Sequence, residues 1–155
     1  MKKILLTLAL ALTCCWASAT TVDDIFNKFK TYENAQFMNL PQEMLQMAMA
    51  QSQATDETQK KAAEKITSID LLQVDKADEA TIKQVTDMVN DLDETYEDLV
   101  RASEEGTQAI IKMKRDGEKF AEMIIIAIEN GECSVIRMCG NFTSDDLDKL
   151  SHMGL

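Results

Sequence analysis

The sequence has a single histidine, a single tryptophan and a single proline among 155 residues, and its 16 basic side chains are outnumbered by 27 acidic ones. Each shortage removes a class of function. Nucleophilic catalysis needs a base beside the serine, cysteine or threonine, usually a histidine. His152 is fourth from the end of the chain, where a fraying terminus holds a base poorly. The G-x-S-x-G, H-E-x-x-H, C-x-x-C, P-loop and G-x-G-x-x-G patterns are all missing. A net charge of −11 repels nucleic acid and anionic membrane surfaces and favours cationic ligands or basic partners. After the first residues no apolar run approaches the roughly 20 residues of a membrane-spanning helix.

What is present begins with an export leader. Lys2 and Lys3 precede the apolar run from Ile4 to Leu12, and Ala17-Ser18-Ala19 is a small-x-small cleavage site. Residues 1–19 read as a signal peptide cut before Thr20, and residues 20–155 as one domain. Cleavage there removes two lysines, so the charge falls from −11 to −13 on the 136 residues that remain. The expected location is periplasmic or extracellular. The alternative is a lipoprotein anchored through Cys14 or Cys15, but Thr13 and Cys14 are poor residues to precede a lipid-bearing cysteine.

Only Cys133 and Cys139 remain after cleavage, both in "ECSVIRMCG". Six residues apart on one strand, they share a face but stand about 20 Å apart, whereas a disulfide needs Cα atoms within about 7 Å. They read as small apolar residues or as thiols available to another chain.

Along the chain, "TVDDIFNKFK" reads as a helix capped by Thr21 with Asp24 in capping-box position, and Val22, Ile25, Phe26 and Phe29 on one face. "NAQFMNL" reads as a strand and "PQEMLQMAMAQSQ" as a helix with Pro41 in its first turn. The thioethers of Met44, Met47 and Met49 suit Cu(I), but with no histidine or cysteine beside them they read as flexible core filler. "KITSIDLLQVD" reads as a strand, and residues 77–92 as a helix with Ile82, Val85, Val89 and Leu92 in its stripe. The carboxylates of "DLDETYED" lack the spacing and turn glycine of an EF-hand, so they read as a solvated junction.

Four successive strands follow, separated by Glu105-Gly106, Asp116-Gly117 and Asn130-Gly131, and "TSDDLDKL" closes the chain as a helix capped by Thr143 or Ser144. The expected fold is α+β: a mostly antiparallel sheet ending in a four-strand meander, with helices packed mainly on one face. A two-residue turn at Asn130-Gly131 sets Ile128 opposite Cys133, Ile126 opposite Val135, Ile124 opposite Arg137 and Glu122 opposite Cys139. The other face pairs Ala127 with Ser134, Ile125 with Ile136 and Met123 with Met138. Both faces are apolar, so either helices cover parts of both or one meets a partner.

The stretches "YEDLVRASEEG", "IIKMKRDGEKFAEMIIIAI" and "ECSVIRMCGNFTSDDLDKL" resemble domain-of-unknown-function family 4252, small exported proteins of Gram-negative gut bacteria. The resemblance implies an exported α+β protein, supplies no catalytic residues, and suggests a link to envelope regulation. Its members often look like lipoproteins, a pattern from which the poorly placed cysteines here depart.

The expected function is a non-catalytic binding or interaction module of the cell envelope, with no cofactor. Its expected surface is one face of the terminal hairpins: Phe120, Glu122, Ile124, Ile126, Val135 and Arg137, with a Glu122–Arg137 ion pair inside it. Its partner is expected to be a protein, a second copy in a homodimer, or a small apolar ligand. The alternatives are a hydrolase built on paired carboxylates and a periplasmic regulatory partner or inhibitor.

Overall fold

The computed structural model describes residues 19–51, 61, 64–104 and 106–146. Cys14, Cys15, Ala17, Glu105, the side chain of Met49 and the closing helix beyond residue 146, with His152, lie outside them. The elements are α1 (Val22–Phe29), β1 (Ala35–Pro41), α2 (Gln42–Gln51), β2 (Ile66–Val74), α3 (Glu79–Asn90), β3 (Tyr96–Glu104), β4 (Thr107–Asp116), β5 (Lys119–Glu129) and β6 (Glu132–Phe142). Among the described residues no helix is long and apolar enough to cross a membrane.

The strands form one antiparallel sheet in the order β1-β2-β6-β5-β4-β3. α3 carries the chain from β2 to the far edge, and the meander returns strand by strand until β6 pairs with β2. Asn130 and Gly131 both have positive φ, 51° and 83°, as a two-residue type I′ turn demands, and Glu129 pairs with Glu132 across it. The expected β5–β6 register follows from that turn in every pair. In the β4–β5 turn the central residues are Gly117 and Glu118, one position later than expected, because Asp116 pairs with Lys119. Likewise Pro41 ends β1 instead of opening α2.

One face of the sheet carries α1 and α3. Val22, Ile25, Phe26 and Phe29 of α1, with Val85, Val89 and Leu92, pack on Leu72, Val74, Ile124, Ile126, Ile128, Cys133 and Val135. Burying each such side chain contributes about 1.5–3 kcal/mol. The capping box of Thr21 and Asp24 starts α1 as the sequence suggests, and Asp78 caps α3. The opposite face holds a second cluster, Ile66, Met113, Phe120, Met123, Met138 and Phe142, against which Leu45 of α2 and Ile69, Ile111 and Ile125 pack.

The end of β6 is bound closely to β2. A Cβ at Gly140 would come within 2.6 Å of the Lys65 carbonyl oxygen, so only glycine fits. Thr143 caps the last helical turn, and its N–H and hydroxyl donate to Asp146 at 2.8 and 2.7 Å. Burial works against the Asp146 charge, but Lys65, 2.5 Å away, and Thr143 outweigh it and hold the carboxyl at about 2.

Candidate functional site

The expected surface on the terminal hairpins does not form. Ile124, Ile126 and Val135 are each 0% exposed, covered by α1 and α3. Phe120 does not share their face. Against β4, β5 has an extra residue between Phe120 and Glu122, since Lys114 pairs with Glu122 and Arg115 with Phe120, and such an extra residue turns the side chains beyond it to the other side. Phe120 therefore sits in the second cluster, with the Arg115 guanidinium over its ring.

The expected Glu122–Arg137 pair is also replaced. Arg137 faces Asp70 directly across β6–β2, whereas Glu122 is a diagonal neighbour and farther away. Nε of Arg137 donates to Asp70 at 2.8 Å, Nη1 donates to Asp23 at 2.7 Å, and Asn39 of β1 donates to the other Asp70 oxygen. Burial works against the Arg137 charge, and the two carboxylates outweigh it and raise its pKa. Among the described residues, Oε1 of Glu122 is buried with no hydrogen-bond partner. Tyr96 lies close enough that burial, and then the Glu122 charge, raise its hydroxyl pKa.

Other chemistry raised by the sequence finds its groups engaged elsewhere. Asp93 accepts from Thr95, Glu97 from Arg115, and Asp98 from Lys112 and Arg101. Among the described residues no three His, Cys, Asp or Glu side chains converge as a metal site. A shallow groove of about 330 Å³ is lined by Glu33, Asp75 and Asp78, but Asp78 caps α3 and Asp75 accepts from Gln36 and Gln73. Cys133 and Cys139 are both free. Burial pushes the Cys133 thiol up to about 11 and raises Cys139 too, so neither is poised to react. Of the residues expected to form the cleavage site, Ala19 is exposed and Thr20 bridges to Leu92.

The exposed large apolar side chains are gathered elsewhere. Phe37 is 48% exposed and Met38 52% on β1, and Met44 is 52% and Met47 62% on α2. These methionines are not core filler, because α2 leaves directly from an edge strand and reaches the core through Leu45. Leu99 and Val100 are exposed on β3.

The two edges of the sheet differ in kind. β3 has a register shift at Leu99 and carries Glu97, Asp98, Arg101 and Glu104. A bulge and charges are the usual protection of an edge strand. β1 reads AQFMNLP, pairs with β2 over all seven residues without a shift, and carries no charge between Glu33 and Glu43. On the helical face Phe37 meets Phe26 edge-on at 5.8 Å, and Met38 lies on the α2 face. Among the described residues no strand pairs with the outer side of β1. The lack of charge in this segment is visible in the sequence; that it forms an edge is not.

The model of one protein family, described as a domain of unknown function (DUF4252), matches residues 29–150. The chain belongs to the DUF4252 family. No curated protein and no solved structure matches it. The family span runs from the end of α1 past the last described turn, so the whole sheet belongs to the DUF4252 domain, and β1 with it.

Proposed function

We propose that this DUF4252 protein is an exported, non-catalytic interaction module of the cell envelope that recruits an extended polypeptide segment at the β1 edge. The observation that carries the reading is the seven-residue β1 edge, uncharged and without a bulge, with Phe37 and Met38 exposed on its two faces. Strand addition takes affinity from main-chain hydrogen bonds and specificity from alternate side chains. Here an apolar side chain is offered on each face. Export is supported by Lys2, Lys3, the apolar run to Leu12 and the Ala17-Ser18-Ala19 site.

The test of the edge is a titration with the peptide NAQFMNLPQ, followed through the backbone amides. Shifts confined to β1 and its neighbours, and abolished by Met38→Lys, are expected. Equal shifts along β3, or none at all in a monomeric protein, would remove the reading. Export is tested by intact mass and fractionation in the native host. A mass starting at Thr20 in the soluble fraction fits free export. An acylated Cys14 or Cys15 in the membrane fraction replaces it with an anchored protein, and an uncut leader in the cytoplasm rejects export.

A further inference from the structure

We propose that the segment recruited at β1 is the β1 strand of a second copy, so that two sheets join edge to edge about a two-fold axis into one sheet of twelve strands. The proposal rests on the edge reading above and adds the occupant and the register.

Symmetry and full overlap together set the register. A two-fold axis perpendicular to the sheet sets β1 antiparallel to its copy and keeps each face on its own side. Residues directly opposite in an antiparallel pair share a face. The numbers of paired residues must therefore differ by an even amount. Full overlap of Ala35–Pro41 with itself places Met38 opposite Met38, Phe37 opposite Asn39, Gln36 opposite Leu40 and Ala35 opposite Pro41. The two Phe37 rings then lie diagonally across the axis on the helical face. The two Met38 side chains, each 52% exposed in the single copy, meet on the other face. Phe37 and Met38, the two exposed large apolar side chains of β1 among the described residues, are thus both brought to the junction.

Charge selects this edge for self-pairing. Each copy carries a net charge of −11 over the full sequence, so two copies repel at long range. β1 is the edge where contact brings no charged side chain of the strand against its own copy. Pairing β3 with itself would set Glu97, Asp98, Arg101 and Glu104 along the junction. The remaining repulsion is long-ranged and screened within about 8 Å at physiological salt. Self-association should therefore tighten as salt is added, whereas binding of a basic partner would weaken.

The junction is smaller than the roughly 800 Å² per partner of a standard interface, so a dissociation constant on the order of 10 μM is expected. Sedimentation of the full chain across that range is the first measurement, with Cys14→Ser and Cys15→Ser in the cross-linking series. Wild type should dimerise, and more tightly as salt rises. Met38→Lys should raise the dissociation constant about 30-fold or more, because an inward-pointing charge guards an edge. Val100→Lys on β3 should change it less than about 2-fold. Gln36→Lys repeats the test at a second exposed position. Under mild oxidation Met38→Cys should link two copies, since opposite Cα atoms lie about 4.5–5.5 Å apart, whereas Leu40→Cys should not.

A protein that stays monomeric yet binds NAQFMNLPQ overturns the second copy and leaves the edge reading standing. One that stays monomeric and binds no peptide overturns both. A dimer weakened equally by Val100→Lys, or linked through Leu40→Cys in place of Met38→Cys, overturns the assigned edge or register.

Discussion

β1 and β3 close the two ends of one sheet, and each is tied to its neighbour by a buried charge. At the β1 end the charge is Asp70, 5% exposed, held by Arg137 and Asn39. At the β3 end it is Lys112, 7% exposed, held by Asp98 at 2.9 Å. The outer sides differ. β3 turns a bulged and charged edge to solvent, and β1 a flat, neutral one. The unprotected edge is the one open to the proposed pairing, because an unguarded edge invites association with any exposed strand.

The comparison breaks most visibly if the protection of β3 is removed. Glu97→Thr with Arg101→Thr and Glu104→Thr leaves the Asp98–Lys112 pair intact and neutralises the rest of the strand. With two open edges the copies should add end to end, and light scattering should show species growing beyond the dimer. Unchanged scattering would assign the protection to the bulge at Leu99 alone.

The next largest effect lies in the buried charge beside β1. Arg137→Ala leaves Asp70 buried with only Asn39 as partner and should cost about 3–5 kcal/mol in urea unfolding. Asp98→Ala beside β3 should cost less, about 1–2 kcal/mol, because the flexible Lys112 stem can carry its ammonium out to water. Equal losses would mean that the two anchors are equivalent.

The smallest effect is a pH dependence. The Asp146 carboxyl stands at about 2 in the folded protein and ordinarily near 3.8. Its contact with Lys65 therefore stabilises fully above about pH 4, and that contribution fades as pH falls toward 2. It amounts to about 1–2 kcal/mol. Wild type and Lys65→Met should differ in urea midpoint at pH 6 and converge near pH 2. A Leu40→Ala difference in β1, where residues 35–41 hold no titratable side chain and the change removes only apolar surface, should not fade in this way.

Much of this fold is legible in local pattern. The Thr21–Asp24 box, the α3 stripe and the Asn130-Gly131 turn each act over a few residues, and the β5–β6 register follows from that turn alone. The candidate site was less legible. The side chains flanking the turn are apolar on both faces, so alternation does not tell which face the helices take. Ile124, Ile126 and Val135 are core because α1 and α3 come from sequence far away. Phe120 changes sides through a single extra residue in the β4–β5 ladder, which the partner sequence does not announce.

The sequence by itself determined the order of elements, the antiparallel meander, the acidic charge and the neutrality of residues 34–42, because these depend on residues close in the chain or on composition. Only the tertiary structure decided that β2 pairs with β6 and leaves β1 at the edge, that Asp70 takes Arg137 from Glu122, and that Phe37, Met38, Met44 and Met47 meet solvent. Those outcomes depend on which distant strands meet, and the long-range pairing that settles them leaves no periodicity in either strand alone.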